Sequence, residues 1–162
     1  MSEITSITWN LPLSPNDISG TYTNPGYGTL TFCGPNSTSF YCSKVHANFT
    51  TVDEARDNVN HSIELLAAWP RFWSSHVRMR YLGGTLFSVH MTSLFPNGYG
   101  KDSTPFEIAE IGMSPITAEF VIDEGKLVSG FGMTTLTESR TGRRARLDRT
   151  VKDSAEIWFD RI

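Results

Sequence analysis

Three aromatic rings and a guanidinium surround a proline in the segment Trp69-Pro70-Arg71-Phe72-Trp73. An arginine stacked on an aromatic ring can hold an anionic or carbonyl oxygen, because its planar fork offers several hydrogen-bond donors at once. The rings would supply apolar contact area to the rest of a small organic molecule. The alternative is that this segment only connects two strands and that its rings fill the end of a barrel.

The histidines are the second group of side chains suited to chemistry, because histidine exchanges protons near neutral pH. In the alternating strand predicted from His76 to Leu82, His76 shares a face with Arg78, and His90 has the matching parity on the next strand. If the opposite face, which carries Val77, packs outward under a helix, the histidines line a polar lumen. Otherwise they face water.

These groups are expected to meet at one end of a barrel, because ligand contacts gather on the loops of a rigid scaffold. The candidate catalytic residues are Arg71, His76 and His90. The candidate substrate-binding residues are Tyr27, Trp69, Trp73 and Tyr99, with His46 near the opposite mouth. No metal site and no cofactor are expected.

Short strand-like segments separated by tight turns predict the fold that positions these residues. Hairpin turns are indicated at Asn24-Pro25-Gly26, Gly83-Gly84 and Asp123-Glu124-Gly125. Val45, Phe49 and Val52 recur at helical spacing, which predicts one helix from about Ser43 to Arg56 that caps a barrel mouth. We therefore expect a single all-β domain over residues 1–162: an antiparallel barrel of about eight strands with one short helix and an N-terminal arm over residues 1–16.

The stretch from Gly20 to Leu30 also carries a resemblance, and four later segments extend it: Cys33 to Cys42, Trp69 to Trp73, Tyr99 to Phe106 and Ala155 to Phe159. These motifs resemble the lipocalin-like C-terminal domain of fungal serine β-lactamase-type hydrolases. The resemblance implies a lipocalin-like barrel that stands here without its catalytic domain. Those hydrolases use a Ser-x-x-Lys nucleophile, and no serine of this chain precedes a lysine by three positions. Serine-hydrolase activity is therefore not expected.

The two cysteines, Cys33 and Cys42, enclose a short loop. Many members of the resembling family are secreted, and a disulfide would suit them. The start of this chain, however, has neither the basic residues nor the apolar run of a signal peptide. We therefore expect a cytoplasmic protein with reduced thiols. Asn36, Asn48 and Asn60 begin Asn-x-Ser/Thr sequences, which reflect either chance or a secreted ancestor.

Composition excludes several partners. The formal net charge is −3, and no apolar run approaches the ~20 residues of a membrane span. The basic stretch over residues 140–152 lacks interleaved aromatic residues, so no nucleic-acid partner is expected. The expected partner is a small apolar organic ligand, and the sequence does not determine the oligomeric state.

Three hypotheses follow. In the first, the protein binds a small molecule and acts as a cofactor-independent isomerase or cyclase on an apolar intermediate of fungal secondary metabolism, by holding one reactive conformer. This hypothesis rests on analogy. In the second, it is a non-catalytic ligand carrier or an accessory module of a serine β-lactamase-type hydrolase. In the third, it is a structural barrel with a filled interior. A cavity larger than ~300 Å³ would favour the first two.

Overall fold

A computed structural model describes residues 13–57, 63–109, 115–135 and 150–162. The strands are β1 (Gly20–Asn24), β2 (Gly28–Phe32), β3 (Glu64–Ala68), β4 (His76–Gly83), β5 (Leu86–Phe95), β6 (Phe106–Ala109), β7 (Ile116–Ile122), β8 (Val128–Thr135) and β9 (Ile157–Arg161). The helices are α1 (Pro15–Ile18), α2 (Phe40–Ala55) and α3 (Val151–Ser154). The all-β prediction is confirmed, although the described residues contain three helices rather than one.

Eight strands form a nearly closed antiparallel barrel in the order β2-β1-β9-β8-β7-β5-β4-β3. Strand β6 lies off this path and pairs with the second half of β5. Cys33, directly after β2, exchanges two backbone hydrogen bonds with Leu66 of β3. This bridge brings the first and last strands of the path together, so the sheet has the nearly closed form of a lipocalin-like barrel.

The barrel interior is filled largely by aromatic rings. Phe131 stacks on Phe159 at 4.8 Å between ring centroids, and Tyr22 meets Phe120 and Phe131 edge to face. Their side chains are fully or almost fully buried. Close aromatic pairs of these geometries add to the free energy gained by burying the rings.

Helix α1 closes one end of the barrel, which we call the closed end. Ser14 caps α1 through a hydrogen bond from Asp17 N to Ser14 Oγ. Ile18 is fully buried, and the Tyr22 hydroxyl donates a hydrogen bond to the Ile18 carbonyl oxygen at 2.5 Å. Most of the N-terminal arm expected over residues 1–16 lies outside the described residues, and its last two residues belong to this helix.

Helix α2 packs against the outer face of the sheet, so the prediction that it caps a barrel mouth is wrong. Its buried residues Val45, Phe49 and Val52 form a second apolar cluster with Leu66 of β3 and Leu94 of β5. The helix begins one turn earlier than predicted, because the Ser39 side chain accepts a hydrogen bond from Cys42 N and caps it there.

Cys33 and Cys42 form a disulfide, so the expectation of reduced thiols is wrong. Cys33 lies at the end of β2 and Cys42 in the first turn of α2, and both are buried. The disulfide therefore joins the point where the barrel closes to the helix that covers it.

Replacing both cysteines by alanine is expected to lower the free energy of unfolding by about 2–3 kcal/mol, because the disulfide restricts the unfolded chain. Urea unfolding measures the change. A reductant should destabilise the wild-type protein by a similar amount and leave the double variant unaffected. A wild-type midpoint that does not move on reduction would contradict the prediction.

Candidate functional site

A cavity of about 230 Å³ lies at the end of the barrel opposite α1, which we call the open end. The β1–β2 turn, the segment after β3, the middle of β5 and the adjacent ends of β7, β8 and β9 surround it. Its walls are mostly apolar and aromatic: Tyr27, Trp69, Trp73, Met91, Ile116, Met133, Thr134, Thr135, Glu156 and Ile157. Tyr27, Trp69 and Trp73, three of the predicted substrate-binding residues, thus line one cavity.

The β1–β2 turn positions Tyr27. The Asn24 side-chain oxygen accepts hydrogen bonds from the backbone N–H groups of Gly26 and Tyr27, at 2.8 and 3.0 Å. Gly28 has a positive φ at the end of this turn, 79°. The Tyr27 ring then lies 6.3 Å from the ring of Trp69, between centroids.

Two backbone hydrogen bonds fold residues 69–75 into a tight loop. Trp69 N donates to the Ser75 carbonyl oxygen, and Arg71 N donates to the Ser74 carbonyl oxygen. The Arg71 guanidinium carbon lies 4.8 Å from the centroid of the Trp69 ring, the stacking that the sequence suggests. Arg71 also packs over Gly28, where a Cβ atom would lie only 3.2 Å from Arg71 Nη2.

Three buried polar atoms of this loop have no hydrogen-bond partner in the described part of the chain: Trp69 Nε1, Arg71 Nε and Ser74 Oγ. Burying an unpaired donor costs free energy, so most folded proteins avoid it. The loop therefore has buried donors and acceptors left unpaired, which a segment that only connects two strands would not require.

The cavity volume falls below the ~300 Å³ that would have excluded a filled barrel. It exceeds the ~150 Å³ of an engineered apolar cavity that binds benzene. The aromatic core below it explains the small size, since the rings occupy the rest of the interior. The fold is compatible with a small ligand of one or two rings, held at the open end.

The two candidate catalytic histidines lie on the outer face of the sheet. Val77 and Met79, with the opposite parity, belong to the barrel core, and the helix covers the His/Arg face instead. His76 packs edge to face against Phe49 of α2, and burial lowers its pKa although Glu107 opposes this shift. His90 is exposed on the same face, where partial desolvation by its neighbours, and then nearby Arg80, lower its pKa. Of the two predicted arrangements, the one in which these histidines line the lumen is therefore wrong.

His46 and Tyr99 also lie apart from the cavity walls. One ring nitrogen of His46 lies 3.0 Å from the Gly34 carbonyl oxygen, at the start of the loop before α2. Tyr99 is exposed in the β5–β6 connection, where its ring meets Phe95 edge to face. The structure brings together Tyr27, Trp69, Trp73 and Arg71 and places the remaining predicted site residues elsewhere.

Arg78 forms the centre of a buried ion network between the sheet and α2. Its side chain is only 4% exposed and contacts the carboxylates of Asp53, Glu64 and Glu107 at 2.6, 3.2 and 2.9 Å. Burial alone would lower the pKa of Arg78, but the hydrogen bonds to Asp53 and Glu107 raise it above its ordinary value. The guanidinium also lies over the Phe49 ring. This network attaches α2 to the sheet.

Tyr41 completes the contact between β2 and β3 near the open end. Its hydroxyl accepts a hydrogen bond from Ala68 N at 2.9 Å and donates one to the Thr31 carbonyl oxygen at 3.0 Å. Burial raises the pKa of this hydroxyl, which therefore stays protonated at neutral pH. A side chain thus replaces backbone pairing between these two strands.

Tyr41→Phe is expected to lower the free energy of unfolding by about 1–3 kcal/mol, because Ala68 N loses its acceptor in a half-buried position. Thermal unfolding with circular dichroism measures the change. Tyr99→Phe is the matched control, since Tyr99 is 75% exposed. Equal melting temperatures for the two variants would contradict the role assigned to Tyr41.

Sequence reasoning missed most of the cavity wall and all the carboxylates around Arg78. Met133 and Ile116 have the inward parity of Phe131 and Ala118, so strand alternation could have found them once the inner face was known. No pattern linked Asp53 to Arg78, because that ion pair joins a helix to a strand 25 residues away.

A second depression, of about 520 Å³, lies at the closed end and includes Asp17, Lys126 and Arg161 in its wall. Arg161 donates hydrogen bonds to the carbonyl oxygens of Asp17 and Ser19. Asp17 in turn accepts from Ser14, which lowers its pKa. Since these charged groups already serve the cap of the barrel, we do not assign a ligand site there.

Comparison with protein-family models, curated proteins and solved structures found no match of any of the three kinds. Within the described ranges, no helix combines the length and apolar character needed to cross a membrane. The same part of the chain gathers no group of three side chains able to hold a metal ion.

Proposed function

We propose that the protein binds a small, ring-containing organic molecule in the cavity at the open end of its barrel. The observation that supports this proposal is the apolar cavity of about 230 Å³ that Tyr27, Trp69 and Trp73 help to line. Pockets of this kind recognise ligands through apolar area and orient them with a few polar groups.

Arg71 supplies the polar end of the proposed site. Its guanidinium lies on the Trp69 ring, and that ring forms part of the cavity wall. No ion pair of Arg71 is found in the described part of the chain, whereas Arg78 and Arg80 are paired with carboxylates. A ligand whose rings fill the cavity and whose carboxylate or carbonyl oxygen reaches the rim would meet an unused donor.

The more specific hypotheses stay predictions. A cofactor-independent isomerase or cyclase would need its catalytic groups at the cavity, and His76 and His90 lie on the outer face. The resemblance to the lipocalin-like domain of β-lactamase-type hydrolases also stays a prediction, and with it the role of a non-catalytic ligand carrier or an accessory module. Turnover of a retained ligand would separate an enzyme from a carrier.

Native mass spectrometry of protein purified from its own host tests the proposal, since a bound small molecule adds its mass to the folded protein. Ile116→Trp places a large ring at the half-buried cavity wall and should reduce ligand occupancy at least about ten-fold, which corresponds to ~1.4 kcal/mol. Ile108→Trp is the matched control, because Ile108 is exposed on β6.

Both variants must melt near the wild-type temperature for the comparison to count. The proposal fails if the wild-type protein retains no small molecule and also binds no added aromatic probe. In that case the filled structural barrel becomes the better description.

A further inference from the structure

We infer that Asn36 carries an N-linked glycan and that the chain folds in an oxidising, secretory compartment. Asn36-Ser37-Thr38 has the Asn-x-Thr pattern of an acceptor site. The asparagine lies in a turn on the connection from β2 to α2, and the side chains of Asn36 and Thr38 are exposed. The acceptor amide and the hydroxyl that defines the pattern are thus both accessible on the folded surface.

The disulfide provides the second, independent observation. Cys33 and Cys42 flank the same loop, and their bond is buried beneath α2. Disulfides persist mainly in oxidising compartments, which are also where N-linked glycans are added. This location differs from the expected cytoplasmic one.

The position of the loop permits a glycan without closing the cavity. A Cβ atom at Gly34 would lie 2.9 Å from Asn16 Oδ1, so the loop packs beside α1 at the closed end. The cavity lies at the other end of the barrel. Asn48 differs, because it is half-buried within α2 and directly precedes the buried Phe49. Asn60 lies outside the described residues.

The chemistry uses two reactants that such compartments supply. The Asn36 amide nitrogen forms a bond to the first sugar carbon of a lipid-diphosphate-linked oligosaccharide. The bond from that carbon to the diphosphate breaks, the diphosphate leaves with its electron pair, and the amide loses one proton. Disulfide formation removes two protons and two electrons from the Cys33 and Cys42 thiols, and a disulfide-bearing oxidoreductase accepts them.

Peptide mapping of protein purified from its own host, without reductant, tests the inference. Enzymatic release of N-glycans in heavy-oxygen water should convert Asn36 to a labelled aspartate, and the Cys33 and Cys42 peptides should be recovered joined. Recovery of the Asn36 peptide only as unmodified asparagine would overturn the inference.

A variant pair provides a second readout in the same host. Thr38→Ala removes the acceptor pattern while keeping Ser37, whose hydroxyl accepts a hydrogen bond from Gly34 N. It should lower the intact mass by one glycan. Thr50→Ala removes the pattern at Asn48 and should leave the glycan mass unchanged. An unchanged glycan mass in Thr38→Ala would overturn the assignment to Asn36.

Discussion

Arg78→Met is expected to lower the free energy of unfolding by about 3–5 kcal/mol, the usual result of removing one partner from a buried ion pair. The variant would leave the carboxylates of Asp53, Glu64 and Glu107 close together without the cation that holds them. Since Asp53 belongs to α2, we expect this helix to separate from the sheet first. Urea unfolding gives the free energy, and amide hydrogen exchange shows where protection is lost.

Arg80→Met is the matched control, because Arg80 is 36% exposed at its side chain and contacts only Glu64 among these carboxylates. Its expected cost is below about 1 kcal/mol. A loss of similar size in both variants would contradict the special role of Arg78.

The pH dependence gives the prediction about Arg78 a second test. Burial would raise the pKa of Glu107, but its hydrogen bonds with Arg78 and Thr92 hold the pKa below the ordinary value. The stability that this shift contributes is present above the unfolded-state pKa of Glu107 and is lost as pH falls through the lowered folded-state value. The difference between wild type and Arg78→Met should therefore shrink in acid.

Arg71→Met is expected to weaken the binding of 2-naphthoate about 10–100-fold. A hydrogen bond to a charged group contributes about 1.5–3 kcal/mol, and each ~1.4 kcal/mol changes affinity ten-fold. The two rings of this probe suit the apolar walls, and its carboxylate requires a cation at the rim. Isothermal titration calorimetry gives the dissociation constants.

The neutral analogue 2-naphthylmethanol tests the apolar walls of the proposed site separately from Arg71, because it has the same rings but no carboxylate. Its affinity should change little in Arg71→Met, while Trp69→Ala should weaken both probes, provided that the variants melt near the wild-type temperature. If Arg71→Met binds 2-naphthoate as the wild type does, Arg71 is not the polar end of the site, although the cavity itself could still bind rings.

Local pattern determined the scaffold and part of the site. Alternation along His76–Gly83 and the turn residues beside it act over a few positions, so the hairpin and its neighbours could be predicted without the tertiary structure. Tyr27, Trp69 and Trp73 were predicted together because turns and rings concentrate at barrel ends, and the structure places them on one cavity. Their role in binding stays a prediction.

Only the tertiary structure decided which face of the sheet lies inside. Side chains of β4 alternate between its two faces, so alternation alone does not show which face lies inside the barrel. Helix α2 decides this, because its apolar residues cover the outer face beside Arg78. The same packing brought Cys42 of α2 to Cys33 and moved His76 away from the cavity. The contacts between α2 and β4 join residues far apart in the chain, whereas the two cysteines are only nine positions apart. The free energy of burial that selects this packing has no counterpart in local spacing.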